Sequence, residues 1–233
     1  MAIVAFSGCD VLEEMADSVS VPGETQYGLS QDEMRNGLTE ALEVGIRQAV
    51  SDASQTNGFY QNDQLYVSFP PQAHKVREAA LDFGLDAQVE NFEKTLNRAA
   101  ENAAGKVKPV FMNALKEMTI QDAADILHGE DDAATQYFRR KTEEKLQRIC
   151  YPEVEKATSQ VELTKHWEPI MKIYNKARLM TDDPEINPDL NAYITEKTID
   201  GLFVLIADEE QQIRENPEKR VTEILKKVFG SLD

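Results

Sequence analysis

"ILHGEDDAATQYFRR", residues 126–140, crowds a histidine, three consecutive acids and two arginines into one stretch. It reads either as a metal or acid/base site or as a corner between two helices. The corner accounts for every charge. "IQDAADILH" before it carries helical spacing, and Gly129 is suited to the left-handed position that ends a helix. Asp131 or Asp132 can cap the next helix, and three acids at a helix start complement its exposed amides. His128, in the last turn of the preceding helix, is favoured there when protonated. Beyond the corner, Arg139–Glu143, Arg140–Glu144 and Glu144–Arg148 are i,i+4 pairs worth a few tenths of a kcal/mol each.

Helical spacing extends both ways from this corner. Ser30 with Glu33 forms a capping box, and Met34, Leu38, Ala41, Leu42, Gly45, Ile46 and Ala49 then predict an amphipathic helix to about residue 52. Further helices are expected at 72–83, at 86–104 with Gly105 as its stop, from Pro109, and from Thr119. Phe138, Leu146 and Ile149 mark one more, with Pro152 restarting or kinking the chain, and Trp167, Ile170, Met171 and Tyr174 form a later stripe. After a proline-bearing loop, Leu190, Ile194, Leu202, Leu205, Ile206, Glu209 and Ile213 predict a long helix from 189 to about 215, and a last one follows Pro217. Only "NGFYQNDQLYVSFPP", residues 57–71, breaks the rhythm: Leu65, Val67 and Phe69 alternate, predicting a surface segment or short ribbon at 64–69. The expected fold is all-α: one globular domain over 28–230, an array of about eight to ten helices. No internal repeat is evident.

Composition narrows the function. At 41% hydrophobic and 29% charged residues, the chain should fold. A net charge of -17 repels phosphate backbones, and the one dense basic run, Arg139–Lys141, is followed at once by Glu143 and Glu144, so no nucleic-acid partner is expected.

The chemistry-bearing alternatives are few. Asp125 and His128 stand at i,i+3, as in the Glu-x-x-His helices of di-iron bundles, and Glu162 with His166 could add two ligands. Such a site needs two of those motifs and two further glutamates; this chain has one, with Asp for Glu, so no metal or other cofactor is expected. His74 stands alone. There is no Gly-rich phosphate loop, HExxH or GxSxG. Cys9 and Cys150 are the only cysteines, in no zinc pattern, and Cys150 beside Ile149 reads as a small buried hydrophobe.

The start, "MAIVAFSGCD", is an apolar stretch ending in Ser7 and Gly8 before Cys9. It resembles the lipobox of bacterial lipoproteins, which implies cleavage before Cys9, lipid on its thiol, and a remnant signal peptide at 1–9. Residues 10–27, with Pro22 and Gly23, read as a flexible tether. Eight residues without Lys or Arg fall short of an export signal, so lipidation requires a longer true start. The other reading is an apolar N-terminus packed on the core.

Several blocks in order carry a wider resemblance: "GLSQDEMRNGLTEALEVG", "FEKTLNRAAENAA", "FMNALKEMTIQDAADIL", "DDAATQYFRRKT", "DLNAYITEKTIDGLF" and "EEQQIRENPEKRVTEILKKVFG". They resemble the bacterial domain of unknown function 4197 across 28–230. The resemblance implies a helical domain of the Gram-negative cell envelope, facing the periplasm, and no particular activity. The function expected is a non-catalytic envelope lipoprotein, anchored through Cys9, that binds a protein or a small apolar ligand. Phe59, Tyr60, Tyr66 and Phe69 are the contact residues, or else a lid on the domain's own core. The alternative is an envelope hydrolase using carboxylates near 125–132.

Overall fold

Ser30 starts the first helix as its capping box requires: its hydroxyl accepts from the Glu33 amide at 3.2 Å, and the Glu33 carboxylate accepts from the Ser30 amide at 2.8 Å. The computed structural model describes residues 30–160, 189–216 and 226. Among them are seven α-helices: α1 (Gln31–Ser54), α2 (His74–Asp82), α3 (Asp86–Ala104), α4 (Lys108–Lys116), α5 (Ile120–Leu127), α6 (Ala133–Gln160) and α7 (Leu190–Glu215). A 3-10 turn, Pro71–Ala73, leads into α2. The fold is all-α, and no strand lies among the described residues. The eight to ten helices expected include two stretches, at 167–174 and after Pro217, that lie outside those residues.

α6 and α7 form the most extensive helix pair, with α1 and α3 packed against them. Phe111 of α4 joins the layers, meeting Phe138 of α6 and Phe203 of α7 edge-on, each at 6.0 Å between centroids. Such edge-to-face pairs add about 0.5–1.5 kcal/mol each beyond the area they bury. Tyr137 is also fully inside and donates its hydroxyl to the Ala114 carbonyl at 3.0 Å.

Three local expectations are corrected. Pro152 neither restarts nor ends a helix: α6 runs through it for 28 residues, about 42 Å, forgoing one N–H to the Arg148 carbonyl. Gly129 is not left-handed, a conformation that Gly84 alone takes among the described glycines. It is small because a Cβ there would lie 2.6 Å from the Asp125 carbonyl oxygen and 2.7 Å from the Ala133 Cβ. And on α7 the acid turned fully inward is Glu210 (4% exposed), while Glu209 is half-buried.

The segment at 57–69 departs most from expectation. It forms no ribbon, and it is set into the surface instead of lying on it: Phe59, Leu65, Val67 and Phe69 are buried, while Gln61, Asp63, Gln64 and Tyr66 stay exposed. Asn57, in the left-handed region at φ 70°, turns the chain away from α1. Phe59 then seats its ring over Gly201 of α7, where a Cβ would come within 2.9 Å of it. The glycine makes the notch that the phenylalanine fills.

Candidate functional site

The corner between α5 and α6 is built from both sides of the chain. Locally, Thr119 and Asp122 form a capping box at the start of α5, with the Thr119 hydroxyl 2.7 Å and its amide 3.0 Å from the Asp122 carboxylate. Partial desolvation raises the Asp122 pKa, but these two donors, aided by Lys141 and Arg140, outweigh it and hold the carboxyl below its usual value. Asp132 stands at the N-cap of α6, its carbonyl accepting from Gln136 at 2.9 Å. Its carboxylate, however, accepts from the Gln136 side chain instead of a helix-end amide.

The amides at the start of α6 are capped from α7. Glu210 accepts from the Ala134 amide at 2.9 Å, the Thr135 amide at 2.8 Å and the Thr135 hydroxyl at 2.8 Å. Arg214, one turn on, donates to Glu210 at 2.8 Å and to the Ile126 carbonyl, in the last turn of α5, at 2.9 Å. One acid and one base of α7 thus satisfy the end of one helix and the beginning of the next. The side chains of the pair are 4% and 14% exposed. A carboxylate so placed is a cap with its lone pairs committed, not a group available to a substrate. Glu210 escaped the sequence reading, although it sits at the four-residue step from Ile206 on an otherwise apolar face.

The weak metal candidates are both exposed: Asp125 accepts from Gln121 at 2.7 Å, and His128 caps α5 through its backbone. No group of three or more metal-type ligands occurs among the described residues. Glu162, His166 and the lipidation candidate Cys9 lie outside them. His74 is exposed at the start of α2. Asp125, Glu130 and Asp132 line a cleft of about 230 Å³ together with Asp122, Tyr137 and Arg140. Burial raises the Tyr137 hydroxyl to about 12, so it stays protonated at neutral pH. Cys150 is fully buried, and desolvation alone pushes its thiol up to about 12. A thiolate nucleophile is therefore absent at that position.

Of the four contact candidates, Phe59 and Phe69 face the core at 0% and 6% exposure; Tyr66 is exposed and Tyr60 half-exposed. The two tyrosine rings lie 6.0 Å apart, and Tyr60 is flanked by Lys94 at 5.8 Å and Arg98 at 5.9 Å. Three buried polar residues of α3, spaced by four, hold the segment that carries them. Glu101 accepts from the Phe59 and Tyr60 amides, both at 3.2 Å, and pairs with Arg98. Asn97 accepts from the Val67 amide at 2.8 Å and donates to the Val67 carbonyl at 2.9 Å, so one side chain replaces a neighbouring strand. Glu93 accepts from the Tyr66 hydroxyl at 2.9 Å and from Arg77 at 2.9 Å. Burial, then the Glu93 hydrogen bond, raises the Tyr66 pKa well above that of a free phenol. The signal for this trio was Val89, Glu93, Asn97, Glu101: the inner face of α3 continued in polar residues.

An apolar void beneath Leu38, Leu42, Ile126 and Ile213 measures only about 10 Å³, too small for more than a water. No curated protein and no solved structure matches the chain. A family model does match, over residues 28–230, nearly the whole length of this helical array. On that match the chain belongs to the family described as "Protein of unknown function (DUF4197)".

Proposed function

We propose that the chain is a non-catalytic module of the bacterial cell envelope, anchored by lipid on Cys9 and facing the periplasm, which recognises a partner protein. The observation that carries the binding role is the Tyr60–Tyr66 surface. These aromatics are partly exposed on an irregular segment whose backbone is fastened by Glu101 and Asn97. A surface fixed before the partner arrives loses little freedom on binding, and tyrosine offers area with few rotatable bonds. A protein partner is favoured over a small apolar ligand because both tyrosines present polar hydroxyls along with their rings, Tyr60 bonded to Glu90 and Tyr66 to Glu93, at a solvent-facing surface. The hydrolase alternative is disfavoured because Asp125, Glu130, Asp131 and Asp132 face solvent, while the buried carboxylate that reaches the corner, Glu210 of α7, is committed to the start of α6. Anchoring rests on Ser7, Gly8 and Cys9 at the end of an apolar run.

The test expresses the gene with its complete upstream sequence, labels cells with a fatty-acid analogue and fractionates them. Label in the membrane fraction that disappears in Cys9→Ser is the expected result; an unlabelled cytoplasmic protein would overturn the anchor. A photo-crosslinker at position 66 should join the same envelope protein repeatedly, and one at exposed Lys145 should not. No product specific to position 66 would overturn the recognition surface.

A further inference from the structure

The groove between α3 and α6 has a character opposite to the rest of the chain. Two adjoining clefts make it, about 460 Å³ and about 530 Å³, sharing Asn102 and Ala157 in their lining. Both fall in the size range of small-molecule sites. Their floor includes Ala99, Gly105 and Ala157, side chains too short to fill them. Their cations are Lys94, Arg98, Lys106 and Lys156. Among the described residues the acids there are only Glu101 and Glu153, in a chain with 42 acids against 25 lysines and arginines.

The charges of the groove are unevenly committed. Glu101 spends one carboxylate oxygen on the Phe59 and Tyr60 amides and the other on Arg98. Arg98 is fixed further by the Asn57 side chain, which makes it a rigid wall. Lys94, Lys106 and Lys156 are exposed, and among the described residues none forms an ion pair. Asn102 adds an amide able to donate from the boundary of the two clefts.

We propose that this groove binds a small polyanion, a molecule carrying two or three carboxylate or phosphate groups. Single exposed ammonium contacts are weak in water, so one carboxylate gains little here, while several charges meeting several lysines hold together. Size follows from the whole molecule's field. At -17 the chain repels a large polyanion over its full surface, whereas a small one within the groove lies inside a Debye length, about 8 Å at physiological salt, of the local lysines. Tyr60 lies beside the same lysine and arginine, so the inference deepens the recognition role proposed above by naming a ligand chemistry next to its surface.

Calorimetric titration of the purified 233-residue chain with tripolyphosphate, citrate and acetate tests it. One polyanion or both should bind saturably at one site per chain, more weakly as salt rises, and acetate should not saturate. Stronger binding of tripolyphosphate marks a phosphate ligand; stronger binding of citrate marks a polycarboxylate. Lys106→Gln with Lys156→Gln should weaken binding about tenfold or more, and Lys116→Gln with Lys145→Gln should leave it unchanged. Amide shifts at Asn102 and Gly105 on titration give a second reading in the unmutated chain. Absence of saturable binding, or equal loss in both double variants, overturns the proposal. Loss of the groove with crosslinking at position 66 intact would leave the protein-recognition role standing, and the reverse result would leave the groove alone.

Discussion

The corner at 128–132 and the segment at 57–69 face one problem, main-chain groups that no regular helix satisfies, and meet it differently. The corner is short, its own side chains are exposed, and an acid and a base of α7 hold it. The segment is longer and doubly held: Phe59, Leu65, Val67 and Phe69 enter the core, while Glu93, Asn97 and Glu101 take up its polar groups. Charge alone is an all-or-nothing fastening, because removing one partner strands the other in a poorly solvated place. Apolar anchors share the load. The corner should therefore fail abruptly and the segment by degrees.

The largest expected effect is at the corner. Glu210→Ala removes the carboxylate that pairs with Arg214 and leaves the Ala134 and Thr135 amides uncapped, and should cost about 3–5 kcal/mol in chemical denaturation. A loss under about 1 kcal/mol would break the comparison, since a cap so replaceable is no single fastening.

An intermediate effect belongs to the segment. Asn97→Leu removes both partners of Val67 and should cost about 1–3 kcal/mol. Hydrogen exchange at the Val67 amide should quicken, while Phe59 and Leu65 keep the segment in place. Exchange spreading across all of 57–69 would mean that the side-chain amide, not the apolar anchors, holds it.

The smallest effect sharpens the corner itself. With Asp132 bonded to Gln136 and the helix start capped by Glu210, Asp131→Ala combined with Asp132→Ala should cost less than about 0.5 kcal/mol. That replaces the 1–2 kcal/mol expected of a true side-chain cap. A thermal melt that drops as far as a lost cap would restore the local acids to that role.

These contrasts also mark what a sequence can tell. The capping box at Ser30, the helix start at Thr119, the helix at 86–104 and the long helix ending near 215 are local facts, fixed by neighbours three or four residues apart, and they were legible. The ion pairs Arg139–Glu143 and Glu144–Arg148 also formed, at 3.7 and 3.0 Å. The cap from Glu210 spans 76 residues to Ala134, and no periodicity announces which distant carboxylate will meet a helix end. The alternation at Leu65, Val67 and Phe69 was real but its partner was misjudged: a helix side chain, not a strand, took the Val67 backbone. Of the candidate site, Tyr60 and Tyr66 were visible as residues, while the basic groove beside them exists only once α3 and α6 are packed.

For a chain that folds in the cell envelope, as proposed above, the burial of Cys150 bears on how its thiol meets an oxidising space. An accessible free thiol there invites mixed disulfides and covalent dimers. With no exposure and a thiol raised to about 12, Cys150 offers no thiolate once α6 is packed. The hazard is thus confined to the interval before the core closes, and packing of the helix serves as the chain's own protection against oxidation.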